Sequence, residues 1–583
     1  MGARAIGYPS AVKRPHFRGS AAALVVAATG ALFSTSACTV RSRAYSAAER
    51  DSREPGGSAC VLFFDGLSDE AFSRLLAAGA LPNLKSVIVD RALRVGTAVT
   101  SVPSETYPNL AALLTGLFPG HHGIPANIWL DRRLHVREAH TNVLRTYSTS
   151  DFLAPEARTL YERLPGETVA VTAPIARGAT VYVKNTVAVM AAYARNDWPF
   201  LDRKTLDDMG DAYGGAAAAG RVPSLVWGHL LGPDEVAHAY GPESTEFRAT
   251  MEAIDRAFGR LVKRLKRHRL DERILFVVLG DHGNRAYDTF VDANELVNRA
   301  LRANPTEADC SLGNCVLVPA THREKAYDVA DALISVGAYC GVMIWLPGDR
   351  PPESLPTVFR APRHERRPST PRAAPLRMPP VSRFAASLAR ARETDLVITR
   401  GPAPGSIVLY APGGRAEIVR EDRAGLESLY LYRILEGEDP LGYAHSAEAA
   451  PLVGSEHEAH DWLEATADTA YPDLVVQLPE FFDSPRSPDV FLSPKNGFGF
   501  TSGKAAGHGS LSRSETVVPF LFAGPGVAPG TIRAARTVDL APTLLTYLGV
   551  AYNPDEMDGT NLGIAPRGTP KPPEIERAPA DDD

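Results

Sequence analysis

Six side chains in this sequence are of the kinds that bind divalent cations: Asp65, Asp234, His238, Asp281, His282 and His508. Singly, each has an ordinary reading. Asp65 begins an Asp-Gly turn, Asp234 can cap a helix, and His238 can be a surface imidazole. Together they are three carboxylates and three imidazoles, mostly placed just after apolar runs. That set suffices for two zinc-type sites with positions left open for a substrate. Asp234 and His238 are four residues apart, so on a helical turn both point the same way. Asp281 and His282 are adjacent, and from a loop behind a strand both can reach a metal. A hydroxyl is also on offer. In SVPSETYPNLAALLTGLFPGHHGIPAN, residues 101–127, Pro108 predicts the start of a helix with Thr106 just before it. Unpaired N–H groups gather there and favour an anion. Thr106 in that place either caps the helix or attacks a bound phosphate.

Those residues need a scaffold that collects strand ends. Cys60–Phe64, Ala92–Val99, 168–173, the apolar run in Arg221–Leu231 and Arg273–Gly280 read as strands, several of them buried on both faces. Helix patterns fall between them, at Ser68–Ala78 with Ser68 as cap and at Glu243–Lys266 with a basic end. Alternating strands and helices predict an α/β fold: a central, mostly parallel sheet flanked by helices on both faces. Asp65 and Asp281 then sit at carboxyl ends of strands, where open α/β sheets place their sites. Strands are also predicted at Asp395–Thr399, Ser406–Leu409, Asp473–Leu478 and Val517–Phe522, and a helix at Thr537–Leu548. Residues 350–383 are dense in Pro and Arg and read as an exposed loop.

The 583 residues divide into an export segment (1–38), a linker (39–57), a first core part (58–283), a variable region or cap (284–495), a last core part (496–565) and a disordered tail (566–583). Arg4, Lys13, Arg14 and Arg18 precede the apolar run Ala21–Phe33, which is too short to span a bilayer. Small residues then lead to Cys38, as in a bacterial lipoprotein signal. The chain is therefore expected to be exported in a bacterium, to the periplasm, the outer membrane or the medium. It would be tethered through a lipidated Cys38 or cleaved near Ala37. The remaining cysteines suit an oxidising compartment. Cys310 and Cys315 favour a local disulfide, Cys60 and Cys340 could pair, and three connectivities are possible. A net charge of −6 gives no reason to expect binding to a nucleic-acid polymer.

FFDGL at 63–67, the 101–127 run, LGPDEVAHAYGP at 231–242, GDHG at 280–283, GHG at 507–509 and VDLAPTLLTYLGV…MDGTNL at 538–562 occur in a telling order. The chain resembles the nucleotide pyrophosphatase/phosphodiesterase branch of the alkaline phosphatase superfamily over roughly 58–565. The resemblance implies an alkaline-phosphatase-like fold, with a large insertion before the last metal ligand, and two divalent ions, zinc first. It makes Thr106 the nucleophile. Asp234, His238 and His508 would bind one ion, and Asp65, Asp281 and His282 the other, which also touches Thr106. Asn127 would contact a phosphoryl oxygen, and Tyr107 would lie beside the pocket for a nucleotide base. The implied activity is hydrolysis of phosphate diesters or nucleotide pyrophosphates through a phosphothreonine, on a small phosphorylated substrate. A phosphomonoesterase, phosphonate hydrolase or sulfatase on the same scaffold is the alternative. SETYPN lacks the Arg of the usual sulfatase run, and no cation stands beside Thr106 for the extra charge of a monoester. A catalytically silent surface-binding protein is the alternative of another class, against which all seven matched positions are intact.

Overall fold

Strand β1 (Ser58–Phe64) is buried along its whole length. Ala59, Val61 and Phe63 enter one core while Cys60, Leu62 and Phe64 enter another, so the strand has no wet face. Strands β3 (Thr168–Val171), β5 (Leu225–Leu230), β6 (Ile274–Gly280), β7 (Val517–Val518) and β8 (Phe520–Ala523) are likewise buried throughout, while β2 (Leu93–Val99), β4 (Val181–Val183) and β9 (Gly530–Arg536) are partly exposed; with a two-residue edge at Thr39–Val40 they complete the central sheet. The order across it is β4, β3, β5, β1, β6, β8, β2, β7, with β9 also pairing β2. From β4 to β6 all neighbours are parallel. Strand β8 runs antiparallel between β6 and β2. The expected strand at Val517–Phe522 is thus two strands, broken at Pro519, which has no N–H to give a ladder.

The computed structural model describes residues 39–40, 57–131, 136–141, 145–303, 315–317, 332–346, 380–423 and 426–564. Cys38 and the export segment, Cys310, most of the Pro/Arg stretch and the tail lie outside the described residues. That stretch ends earlier than expected, because Val381–Arg383 already form the first turn of the helix Val381–Ala389.

Helices cover both faces of the sheet. Helix α1 (Asp69–Ala77) is capped by Ser68 as predicted. Helix α2 (Thr106–Thr115) is fully buried. Helices α3 (Trp198–Ala218), α4 (Gly232–Tyr240) and α5 (Thr245–Arg267) follow. Helix α6 (Leu474–Phe482) replaces the strand expected at Asp473–Leu478. Its run LVVQL is buried on every side, and a short apolar run does not by periodicity alone distinguish a buried helix from a buried strand.

A second sheet of nine strands is built mostly from residues 332–346 and 394–494. One of its faces, with Leu333, Met343, Leu396 and Ile398, joins the core of the central sheet. The other is covered by the helices Ala293–Arg302 and Val381–Ala389. Between its strands Ala332–Gly337 and Gly341–Trp345, the turn residues Ala338 and Tyr339 carry φ values of 42° and 78°. This turn reaches the end of the short strand Ala506–Gly507, where Tyr339 pairs with His508. Cys60 and Cys340 are both free and buried. They are not the disulfide considered from sequence, since Cys60 faces the helix side of β1 and Cys340 sits at this turn.

Candidate metal and nucleophile site

Asp65 follows β1, and Asp281 and His282 follow β6, the neighbouring parallel strand, so the sheet itself brings them together. Ligand atoms of Asp65, Asp281 and His282 lie within 4.8 Å of one another, as do those of Asp234, His238 and His508. All six residues are buried. In the first group His282 Nε2 is 3.3 Å from Asp281 Oδ2 and 3.4 Å from Asp65 Oδ1. In the second, the predicted i, i+4 pair on α4 places His238 Nε2 3.0 Å from Asp234 Oδ2, and His508 Nε2 is 3.6 Å from Asp234 Oδ1. The rings of His282 and His508 stack at 3.5 Å, joining the two groups.

The donor set suits cations. His238 Nδ1 donates to Ala506 O at 2.9 Å, and His508 Nδ1 to Ser104 O at 2.7 Å, while His282 Nδ1 lies 3.2 Å from Gly283 O. A carbonyl on Nδ1 leaves the Nε2 lone pair for a metal. Asp281 Oδ2 is buried with no hydrogen-bond partner. Burial, with the charges of Asp65 and Asp234, holds the Asp281 carboxyl well above the usual carboxylate range. Burial and the His282 charge hold His508 well below the usual imidazole value. Three buried carboxylates in one place are mutually unfavourable until positive charge joins them.

Thr106 is not a cap. Glu105 holds the N-cap position, and Thr106 is the first helical residue. Its Oγ1 turns to His282 Nε2 at 3.2 Å and Asp65 Oδ1 at 3.4 Å. Ser104 is fully buried and is held by neighbouring backbone. Its Oγ donates to Ser510 O at 2.8 Å and accepts from Gly509 N at 3.0 Å, which removes it as a rival nucleophile. Asn127 Oδ1 accepts from Tyr107 N at 2.9 Å, and no described residue takes its Nδ2 donors. Asn127 N in turn donates to Glu105 Oε2 at 2.5 Å. Burial pushes Glu105 up to about 7, and its carboxyl braces this loop rather than charging the cavity. Tyr107 Oη donates to His140 O at 2.9 Å.

Thr106, Tyr107, Asn127, Asp65, Asp234, His238 and His508 line one cavity of about 390 Å³, while Asp281 and His282 lie behind them. Five contributors were not singled out in the sequence. His229, within the apolar strand β5, reaches Asp65 Oδ2 at 2.8 Å and fixes it. Its signal was a lone imidazole inside VWGHLL. Asn284 Nδ2 donates to Asp234 Oδ1 at 2.9 Å. Gly66, at φ 71°, makes room for both, since a Cβ there would fall 2.5 Å from Asn284 and 2.6 Å from Asp234. Tyr339 and Lys504 line the same cavity from the second sheet's turn and the loop before His508.

A third group, His121, Glu480 and Asp483, also brings ligand atoms together. Here Arg420 already takes Glu480 at 3.1 Å and Asp483, and His121 Nδ1 lies 2.7 Å from Asp558 Oδ2. Against the pull of burial, Asp558, Asp483 and Glu480 hold His121 well above its ordinary value, so this is an ion-pair knot. A raised folded-state value means stability that is full below the unfolded imidazole value and is lost as pH rises through the folded one. His121→Gln is therefore expected to lower the melting temperature more at about pH 6 than at about pH 10. Thermal scans of both proteins at the two pH values check this, and an equal loss at both would refute the ion-pair account.

A family model described as type I phosphodiesterase / nucleotide pyrophosphatase matches residues 59–336. The chain is 26% identical over 240 residues to an uncharacterized pyrophosphatase/phosphodiesterase of Schizosaccharomyces pombe, covering 38% of this chain and 44% of that protein. It is 28% identical over 199 residues to ectonucleotide pyrophosphatase/phosphodiesterase family member 3 of Mus musculus, covering 31% and 20%. The chain thus spans less than half the length of these curated relatives. The solved structure of murine ectonucleotide pyrophosphatase / phosphodiesterase 5 shares the fold at a TM-score of 0.50 and 15% identity, over 86% of this chain and 97% of that one. The segment matched by the type I phosphodiesterase / nucleotide pyrophosphatase model carries Asp65, Thr106, Asn127, Asp234, His238, Asp281 and His282, so over that segment the chain is similar to this family.

Proposed function

We propose that the protein is an exported hydrolase of phosphate diesters or nucleotide pyrophosphates that works through a phosphothreonine on Thr106. The observation that carries this reading is the Thr106 hydroxyl, spared from capping and set against one ligand triad with a second triad alongside. Asp65, Asp281 and His282 would hold one divalent cation and Asp234, His238 and His508 another, zinc being the ion that carboxylate and imidazole donors suit. When bound, such ions supply the positive charge that makes a threonine alkoxide available near neutral pH and offsets charge on the phosphate.

The protein's own groups do the rest. Thr106 Oγ1, having lost its proton, attacks phosphorus in line as the bond from phosphorus to the leaving oxygen breaks and that group departs with the electron pair; water then displaces Thr106 Oγ1 from phosphorus, releasing the phosphoryl product and restoring the hydroxyl. Asn127 Nδ2, held by the bond from Tyr107 N to Oδ1, and the Thr106 N–H at the start of α2 hold the phosphoryl oxygens. His229 keeps Asp65 turned toward Thr106. Tyr107, tied by its hydroxyl to His140, presents a ring to the substrate's transferred portion.

The test is a substrate panel of an aryl phosphodiester, an aryl phosphomonoester, a nucleotide and an aryl sulfate, run before and after dialysis against a chelator. The expected result is turnover of diester and nucleotide, lost on chelation and restored by zinc. Full activity after chelation would remove the metal from the reading. A clear preference for the monoester or the sulfate would replace the substrate class and leave the nucleophile in place.

A further inference from the structure

The helix Thr186–Arg195, which follows β4, buries Ala188, Val189 and Ala192 in the core. Its other face is apolar as well. Val187, Met190 and Tyr193 are 82%, 52% and 47% exposed, and they recur every three residues, so they form one stripe. Asn196, next in that series, ends the helix, and its Nδ2 donates to the hydroxyl of Tyr240, which is 46% exposed. The stripe therefore continues to the end of α4. These are four of the nine large apolar side chains exposed among the described residues. Single exposed apolar residues need no explanation, but a contiguous group of them marks a binding face.

Two observations identify what covers it. The first is the flanking charge. Lys184 stands just before the helix, its Nζ 5.2 Å from the centre of the Tyr182 ring and 5.6 Å from that of Tyr147, and the exposed Arg195 closes the last turn. Neither forms an ion pair among the described residues. Aliphatic and tyrosine side chains between a lysine and an arginine suit the headgroup layer of a bilayer, where apolar groups enter and cations reach the phosphates. The second is where the chain arrives. Thr39–Val40 pairs antiparallel with β4, Thr39 beside Val183 and Val40 beside Tyr182. The chain thus joins the sheet at the end of β4 from which this helix starts. One residue before Thr39 stands Cys38, the cysteine that the sequence marks for lipidation. A tether there raises the local concentration of lipid at this stripe above that at any other face. A protein partner would account for the stripe but for neither the flanking cations nor the place of entry.

We propose that the exposed face of Thr186–Arg195, with Val187, Met190, Tyr193 and Tyr240, is a docking surface for a phospholipid bilayer. The inference takes from the reading above only that the chain is exported, and it does not need the hydrolase. Val187 and Met190 enter the headgroup layer, Tyr193 and Tyr240 lie at its boundary, and Lys184 and Arg195 meet lipid phosphates. The same helix contributes Val189 and Tyr193 to the wall of the cavity that Thr106 lines. Docking therefore holds the near wall of that cavity about 10 Å from the lipid, the diameter of one helix.

The test mixes the full-length protein with vesicles of phosphatidylethanolamine and phosphatidylglycerol. A nitrobenzoxadiazole label reports from Met190→Cys and, as control, from Leu426→Cys, a position 67% exposed in the loop before Leu429–Gly437 of the second sheet. Label taken up by the unaltered protein is subtracted. At position 190 the emission is expected to move to shorter wavelength when vesicles are added and to be quenched by doxyl-labelled lipid, and at position 426 to do neither. Val187→Glu added to Met190→Cys should abolish both responses, because a carboxylate resists entry into the bilayer. Val187 is exposed, so Val187→Glu alone should melt as wild type does and keep wild-type turnover in vesicle-free solution. That turnover reads the hydrolase separately from the docking. Equal responses at positions 190 and 426, or a response at 190 that survives Val187→Glu, overturn the proposal. A shift at 190 already complete without vesicles overturns it too: if it grows with protein concentration a second copy covers the stripe, and if it does not, residues 1–38 of the same chain do.

Discussion

Thr106→Ala is expected to lower kcat/KM on the preferred substrate by on the order of 10⁴-fold, because removing a covalent nucleophile leaves only the binding and electrostatic parts of catalysis. The loss should fall on kcat. Binding should survive, since Asn127 and the two ligand triads are untouched. The variant should melt close to wild type, because the contacts of the Thr106 hydroxyl, at 3.2 and 3.4 Å, are long and carry little stability. Thr106→Ser keeps an oxygen in place and should recover much of the rate. Quenching a reaction with ³²P-labelled substrate should trap label on wild-type protein and none on Thr106→Ala. Undiminished turnover by Thr106→Ala would end the phosphothreonine mechanism, whatever the metals do.

Glu515→Ala should be the most destabilising single change near the site. Glu515 is fully buried and pairs with Arg285 Nε at 2.8 Å. It also accepts from Ser510 N at 2.7 Å and Ser510 Oγ at 2.6 Å, and its Oε2 lies 3.3 Å from the Ser104 hydroxyl. Removing it strands a buried guanidinium, which typically costs about 3–5 kcal/mol. The same carboxylate ties the loop carrying His508 to the loop carrying Thr106, so activity should fall with stability. Denaturant unfolding measures the first and turnover the second. A variant as stable as wild type would mean that Arg285 finds another partner, and the network would lose the role given to it here.

Much of this was legible in the sequence, for identifiable reasons. Asp65 and Asp281 could be placed because each follows a run buried on both faces, and such runs announce parallel strands. Asp234 and His238 could be paired because helical spacing is local. Thr106 was put at the right helix end but outside the helix, since the helix starts two positions before the expected Pro108. His508 had no such local cue, as it follows a strand of only two residues. Glu515, His229, Tyr339 and Lys504 act through partners distant along the chain, and no periodicity encodes such pairings. The strand expected at Asp473–Leu478 failed for a different reason: total burial erases the alternation that tells helix from strand.

The position of β8 governs how the protein can come into being. This strand, Phe520–Ala523, lies between β6 and β2 in the middle of the sheet. While a chain is being synthesised from its amino terminus, β2 and the Thr106 loop behind it emerge early, yet their neighbour in the sheet is among the last segments made. Until then β6 and β2 present unpaired edges, which are open to wrong partners. The hydroxyl and the Asp281–His282 pair are therefore brought into register only near the end of synthesis, and the same late segment delivers His508 and Glu515. Completion of the site therefore waits on the carboxyl-terminal segment: a shorter product retains the β1–β6 pairing that aligns Asp65 with Asp281 and His282 but lacks His508 and Glu515.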